Sequence, residues 1–176
     1  MRIYGFFVGL ISALALAGLT AQAQEQSSNL VAEKTDWSVF EDTDPKECWG
    51  VAVPDETVNT RDGRVVAVTR GDILLMVLYR PAANANAQVT FNGGYPFASG
   101  SKVNISIGGS EFGLFTDGEW AWPENEAEDA KIVAAMKRGA DAVVTGVSTR
   151  GTRTKDTFSL RGFTAALEEA EKRCAS

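Results

Sequence analysis

The sequence of 176 residues contains no histidine. This absence excludes a Ser-His-Asp or Cys-His catalytic arrangement, a histidine-ligated metal and a histidine pH switch, because each needs an imidazole. A phosphate-binding loop, a dinucleotide-binding glycine motif and a Gly-x-Ser-x-Gly elbow are missing as well. We therefore expect no enzyme, no catalytic residue, no cofactor and no metal ligand. A hydrolase built on paired carboxylates is the remaining enzymatic alternative, because the chain has 23 Asp and Glu residues.

Long apolar runs are scarce too, and the one that stands out is at the N terminus. Arg2 precedes a mainly apolar stretch over residues 3–19, and the small-residue sequence Ala-Gln-Ala follows at 21–23. A charged start, an apolar middle and small residues before the cut are the three parts of a secretory signal peptide. We interpret residues 1–23 as that signal, with no transmembrane segment after cleavage. An uncleaved membrane anchor is the alternative.

Positive charge is in the minority, with 17 Lys and Arg against 23 Asp and Glu and a net charge of −6. An acidic chain is poorly suited to bind nucleic acid or anionic membranes, whose phosphates attract cations. We expect an exported protein of the periplasm, the outer-membrane surface or the medium. Residues 24–35 are polar and predict a flexible leader, and residues 36–176 predict one domain.

Cysteine occurs only twice, at Cys48 and Cys174. An oxidising compartment outside the cytoplasm favours a disulfide between them. A redox-active pair is the alternative, but the two residues lack the Cys-x-x-Cys spacing of such sites. We expect the bond to join the last helix to an early strand.

Short apolar runs bounded by turn residues divide the rest of the chain, which is typical of an antiparallel β domain. They cover residues 37–40, 48–53, 64–69, 73–79, 88–91, 102–107, 111–115, 141–149 and 154–160. Tight turns are indicated at residues 62–63 and 108–109. Helical periodicity and end signals instead mark residues 123–138 and 163–174. The prediction is a mainly β fold, an antiparallel β-sandwich or distorted barrel of about eight to ten strands with two packed helices.

Two tryptophans, Trp120 and Trp122, flank Ala121 just before the first predicted helix. If this segment is extended, both indoles lie on one side of it. They then form an aromatic platform for a protein or glycan partner, since Trp is favoured at binding hot spots. The alternative is that they pack the helix onto the sheet, which is the commoner role for a tryptophan.

Four basic residues lie within twelve positions around the hairpin that we predict between the runs 141–149 and 154–160: Arg150, Arg153, Lys155 and Arg161. On an acidic protein they predict a patch for phosphate groups or an acidic partner. The alternative is an ordinary solvated hairpin, because exposed strands commonly carry Lys and Arg against edge pairing.

The tripeptide Arg70-Gly71-Asp72 is the sequence that integrins recognise, and it lies between two predicted strands. Gly-Asp is also ordinary turn chemistry, and a given tripeptide recurs by chance. A turn is the simpler interpretation.

The C-terminal half resembles the invasion-associated locus B family. The resemblance lies in residues 134–139, 143–146, 148–152 and 154–163, the closing helix and Cys174, and more weakly in residues 97–101 and the surroundings of Trp37 and Cys48. It covers most of the chain after Trp37.

The resemblance implies a small exported protein of alphaproteobacteria and, in pathogenic members, a contribution to host-cell entry. It supplies no catalytic motif. From it we expect a non-enzymatic binding protein of the cell envelope with an unknown protein or glycan partner there or at a host surface. A periplasmic structural or envelope-stress module with no host role is the alternative.

Overall fold

The protein is described by a computed structural model that covers residues 29–175. The proposed signal over residues 1–23 and the first part of the leader lie outside the described residues. The strands are β1 (Leu30–Lys34), β2 (Trp37–Thr43), β3 (Lys46–Ala52), β4 (Glu56–Arg61), β5 (Arg64–Val65), β6 (Leu74–Arg80), β7 (Ala85–Asn92), β8 (Val103–Ile107), β9 (Ser110–Asp117), β10 (Trp120–Trp122), β11 (Asp141–Val147) and β12 (Arg153–Ser159). The helices are α1 (Glu126–Met136) and α2 (Phe163–Cys174), and a 3₁₀ turn spans Pro81–Ala83. The predicted class, mainly β with two helices, is confirmed.

All twelve strands form one antiparallel sheet in the order β1-β2-β3-β6-β7-β10-β9-β8-β11-β12-β4-β5. The sheet is not closed, because its end strands β1 and β5 do not pair with each other. It is nevertheless strongly curved. Strands β7 and β12 stand five places apart, which is about 24 Å in a flat sheet. Their side chains Phe91 and Phe158 meet edge to face with ring centroids 6.1 Å apart, so the two halves of the sheet face each other across the core.

Helix α2 packs against strands β1, β2, β3 and β6. Its buried residues recur with helical spacing, as predicted: Phe163, Ala166, Leu167 and Ala170. Trp37 joins this helix to the other half of the sheet. Its ring lies 5.0 Å from that of Phe163, and its Nε1–H donates to the carbonyl of Ser159 at 3.0 Å. A buried indole therefore fills the core while its polar atom keeps a partner.

The predicted strands differ from the observed ones in three places. Twelve strands replace the expected eight to ten, because β4 is mostly polar, β10 has only three residues and β1 lies in the segment predicted as a leader. Strand β1 pairs with β2, so the leader predicted over residues 24–35 is ordered in its second half and the folded part begins before residue 36. The run 64–69 is a strand only at Arg64–Val65; the remainder belongs to an irregular loop.

Helix α1 begins later than predicted. The prediction placed Pro123 in the first turn, whereas the Asn125 side chain caps the helix by accepting from the amides of Ala127 and Glu128, both at 3.1 Å. Asparagine is among the best N-cap residues because its oxygen satisfies amides that lack a helical partner. Pro123 therefore lies outside the helix.

Cys48 on β3 and Cys174 at the end of α2 lie at disulfide distance, with their Cα atoms 5.7 Å apart. The pairing is the expected one, and it joins residues 126 positions apart in the sequence. Helix α2 is thereby fixed to the sheet at its C-terminal end.

Among the glycines of residues 29–175, Gly162, which caps the start of α2, is the one where an added methyl group fits worst. Its φ is +89°, and a Cβ there would overlap the carbonyl of Lys34, with the carbonyl carbon only 2.7 Å away. We expect Gly162→Ala to lower the free energy of unfolding by about 2–4 kcal/mol, which combines left-handed backbone strain with steric overlap. Denaturant titration followed by circular dichroism measures the loss.

Gly151→Ala is the matched control for Gly162→Ala. Gly151 has a similar φ of +75°, but no heavy atom lies within 4 Å of its added Cβ. Only the backbone strain of about 1–2 kcal/mol should remain. Equal losses in the two variants would show that the β1–β2 turn moves away from Gly162 at no cost.

Candidate functional site

A cleft with a volume of about 660 Å³ opens at the end of the domain where β12 begins. One wall is the irregular loop after β5, and the facing wall is the loop of the β11–β12 hairpin. The lining residues are Arg61, residues 66–70, 94–96 and 148–150, Glu119, Thr152 and Thr154. Four segments that are distant in the sequence therefore form it.

The floor of the cleft is a buried ion pair between Arg70 and Asp156, whose side chains are 5% and 0% exposed. Two guanidinium nitrogens donate to the two carboxylate oxygens, each at 2.7 Å. Arg70 also donates from Nε and Nη2 to the carbonyl of Gly93 at 3.0 and 2.8 Å, and Thr57 donates to Asp156 at 2.9 Å. Both charges are thus neutralised and saturated with hydrogen bonds inside the protein.

Tyr95 completes the floor. The Arg70 guanidinium carbon lies 5.0 Å from the centroid of its ring, a cation–π contact. Its hydroxyl shares a 2.6 Å hydrogen bond with Thr154 Oγ1, and burial raises the pKa of Tyr95. Gly146 makes room for this hydroxyl, because a Cβ at that position would lie 2.8 Å from it. The floor is therefore rigid, and its phenol stays protonated at neutral pH.

Two further arginines line the walls. Arg61 is exposed and donates from Nη2 to Thr152 Oγ1 at 2.6 Å. Arg150 is exposed in the hairpin loop, where Gly151 N–H donates to the Ser148 carbonyl at 2.8 Å. Among residues 29–175, neither arginine has a carboxylate within 4.0 Å. Their charges therefore face the cleft without an acidic partner.

The outer face of the sheet carries a second surface. Strand pairing sets Trp122 opposite Phe115, and Lys102 Nζ lies 4.7 Å from the Phe115 ring centroid. Arg153 and Lys155 both lie on β12 and are exposed on this face, two residues apart with the buried Thr154 between them. A shallow pocket of about 450 Å³ has Lys102, Arg153 and Lys155 in its lining, and no acidic side chain is among its described lining residues. We call Lys102, Phe115, Trp122, Arg153 and Lys155 the basic face.

The predicted binding residues are distributed over both surfaces. Trp120 and Trp122 lie on one side of β10, with Ala121 buried on the other; Trp120 is 40% exposed and Trp122 half-buried. Arg150 belongs to the cleft, whereas Arg153 and Lys155 belong to the basic face.

Arg161 does not join the predicted basic patch. The seven residues of β12 span about 20 Å, so Arg161 lies at the far end of that strand from Arg150. It pairs there with Asp36 at 3.2 Å. Neighbours in the sequence are thus separated by the length of an extended strand.

Sequence reasoning missed the roles of Arg61, Arg70, Tyr95, Lys102 and Asp156. Arg70 appeared there as part of the Arg-Gly-Asp tripeptide, but its burial leaves no such tripeptide on display. One signal was available for Asp156. It lies two residues before Phe158 on β12, and residues two apart on a strand point to the same face, which for a buried Phe is the core.

The other buried carboxylate, Asp129 of α1, also has a structural partner. It accepts a hydrogen bond from the Val89 amide at 2.7 Å, while burial raises its pKa. The described residues contain no group of three His, Cys, Asp or Glu side chains placed to hold a metal ion. No helix within residues 29–175 is both long and apolar enough to cross a membrane.

Taken together, these features define a small disulfide-linked β protein with a polar cleft at one end and a basic outer face. The family model described as Invasion associated locus B (IalB) protein matches residues 37–171. The chain belongs to this family, so the resemblance seen in the sequence is confirmed. Searches of the curated proteins and of the solved structures give no significant match.

Proposed function

We propose that the protein is an exported, non-enzymatic binding protein of the cell envelope that holds an acidic protein partner against its basic face. The observation that carries this proposal is the juxtaposition of Trp122 and Phe115 with three cations on one exposed sheet surface. Family membership supports the export part of the proposal, because the resemblance to this family implies an exported protein.

The composition of the basic face favours a protein partner with an acidic surface. The whole chain carries a net charge of −6, yet this face gathers Lys102, Arg153 and Lys155. Such local complementarity speeds the encounter with a negatively charged surface. Exposed aromatic rings and arginines are also the side chains that contribute most at protein interfaces.

A non-enzymatic role is supported by how the buried carboxylates are used. Asp156 is paired with Arg70, and Asp129 accepts from a backbone amide. A carboxylate hydrolase instead needs two such groups facing one cleft, whereas Asp129 and Asp156 lie on different elements with separate partners.

Export is supported by the proposed signal peptide and by the cysteines, which lie at disulfide distance. Fractionation of the native organism with an antibody separates the two envelope roles. Recovery from the cell surface or medium supports contact with a host. Confinement to the periplasm supports the alternative of an envelope module with no host role.

The basic face is tested by site-specific photo-crosslinking in living cells. A photoreactive amino acid replaces Thr145, which is exposed, lies opposite Lys155 on the neighbouring strand and lines the shallow pocket of the basic face. We expect one discrete protein adduct there and none from Glu168, an exposed control position on α2. Gel electrophoresis and mass spectrometry identify the adduct.

Two further variants make the crosslinking test specific. Arg153→Gln with Lys155→Gln should reduce the adduct several-fold, because both charges are removed from the interface. Arg138→Gln should leave it unchanged, because Arg138 is an exposed residue beyond α1. An adduct that is insensitive to the double substitution contradicts the proposal, and a carbohydrate adduct would replace the protein partner with a glycan.

A further inference from the structure

We propose that the cleft is a second, separate site, which binds a sugar carrying a phosphate or carboxylate group through Arg61 and Arg150. The cleft and the basic face are lined by almost entirely different residues. The inference therefore does not depend on the proposed partner of the outer face.

The size and place of the cleft are those of a small-molecule site. Its volume of about 660 Å³ falls within the range of roughly 300–1,000 Å³ found for ligand pockets. It opens where the inner faces of the curved sheet meet at one end, which is a frequent position for ligands in β folds. A flat macromolecular surface would not reach into it.

The charge of the cleft selects an anion. The Arg70 charge is cancelled by Asp156 below the surface, whereas Arg61 and Arg150 have no carboxylate within 4.0 Å among the described residues. Guanidinium groups match the geometry of phosphate and carboxylate oxygens and bind them through paired hydrogen bonds. The lining contains a single acidic side chain, Glu119, within the described part of the chain.

The Arg61 side chain and the backbone of the loop that bears Arg150 are both held by hydrogen bonds within the protein. Arg61 Nη2 donates a hydrogen bond to the hydroxyl of the buried Thr152 at 2.6 Å. This bond orients the guanidinium and leaves its other N–H groups available. The loop bearing Arg150 is held by the Ser148 amide, which donates to the Thr152 carbonyl at 2.9 Å, and by the Thr152 amide, which donates to Ser148 Oγ at 3.1 Å. The Arg61 side chain therefore loses less conformational entropy on binding than an unrestrained arginine would.

The remaining lining fits a sugar better than a bare anion. Hydroxyl groups of Thr149 and Thr154 line the cleft together with Glu119, and such groups donate to and accept from sugar hydroxyls. The loop side chains Val66 and Val68 supply an apolar wall for the C–H face of a ring. Inorganic phosphate would use only the arginines.

The test uses the full chain, exported by the expressing cell and purified as the processed protein. Isothermal titration measures binding of glucose 6-phosphate, glucuronic acid, glucose and inorganic phosphate. We expect at least one of the two anionic sugars to bind about tenfold or more tightly than glucose, and also more tightly than inorganic phosphate. Glucose 6-phosphate and glucuronic acid are titrated separately, so the one that binds more tightly shows whether the cleft prefers a phosphate or a carboxylate.

Four variants locate the binding. Arg61→Gln and Arg150→Gln should each weaken the anionic sugar about tenfold or more. Arg138→Gln and Arg153→Gln should leave its affinity unchanged, since neither residue lines the cleft. All four positions are exposed, so folding should be retained.

Several results would overturn this inference. Equal affinity for glucose and the charged sugars would show that the anionic group does not contribute to binding. Tighter binding of inorganic phosphate than of either charged sugar would show that the sugar ring does not contribute. Wild-type affinity in both Arg61→Gln and Arg150→Gln places binding elsewhere, and binding of none of the four probes excludes the ligand class. None of these outcomes alters the Thr145 crosslinking result, so the proposed function is judged separately.

Discussion

Replacing Arg70 with methionine is expected to lower the free energy of unfolding by about 3–5 kcal/mol, because it leaves the Asp156 carboxylate buried without its cation. The Asp156 side chain is 0% exposed, so water cannot take over the lost hydrogen bonds without opening the floor of the cleft. The Gly93 carbonyl loses two donors in the same variant. Urea titration at neutral pH measures the change.

An exposed Arg–Asp pair in the same protein provides the control. Arg161 and Asp36 lie 3.2 Å apart, but the Arg161 side chain is 73% exposed. Surface pairs contribute about 0–1 kcal/mol because solvent screens them. Arg161→Met should therefore cost far less than Arg70→Met, and equal losses would show that water reaches the buried pair.

The double variant Arg70→Met with Asp156→Leu distinguishes an unpaired charge from a general packing defect. Removing both charges should restore part of the stability lost in Arg70→Met, since a buried ion pair is often replaceable by apolar side chains. Recovery cannot be complete, because Thr57 and the Gly93 carbonyl still lack their partners. A double variant less stable than the single one would mean that shape, rather than charge, dominates the site.

The parts of the fold predicted from the sequence are those in which a local rule and the tertiary structure agree. Helix α2 has the predicted bounds because its apolar spacing matches the face that packs on the sheet. The β8–β9 hairpin has the predicted loop because Gly108 and Gly109 both adopt positive φ, as a two-residue hairpin turn requires. Strand β4 was missed because its sequence, Glu-Thr-Val-Asn-Thr-Arg, is mostly polar and its pairing with β12 is decided by the rest of the fold.

The candidate sites could be predicted only in fragments. Proximity in the sequence grouped Arg150 with Arg153 and Arg161, but a strand alternates its faces and extends over its length. The structure therefore distributes these arginines to the cleft, the outer face and the opposite end of β12. The cleft itself joins segments such as residues 66–70 and 148–150, and no local pattern in the sequence reports contacts over that distance.

Breaking the disulfide is expected to have an effect comparable to that of breaking the buried ion pair. Cys48 and Cys174 are 126 positions apart, and the chain-entropy model for a loop of this length gives an upper limit of about 4–5 kcal/mol. Reduction should therefore lower the urea midpoint strongly. The m value should rise as well, because the reduced unfolded chain is less compact and exposes more surface.

The ion pairs near the end of α2 cannot replace the disulfide. Arg173 reaches Glu41 of β2 at 3.1 Å and Glu169 at 2.8 Å, and Lys34 reaches Glu169 at 3.4 Å. All of these side chains are partly exposed, so each pair contributes at most about 1 kcal/mol. They act only on the folded state, whereas the disulfide also restricts the unfolded chain.

The double variant Cys48→Ala with Cys174→Ala is the control for reduction. It should have nearly the stability of the reduced protein, and a reductant should not change it further. An unchanged urea midpoint when the wild-type protein is reduced would contradict this prediction. In that case residual structure would already restrict the reduced unfolded chain, so the bond would remove little further entropy from it. The packing of Phe163, Ala166 and Leu167 on the sheet would then hold α2 in place without the bond.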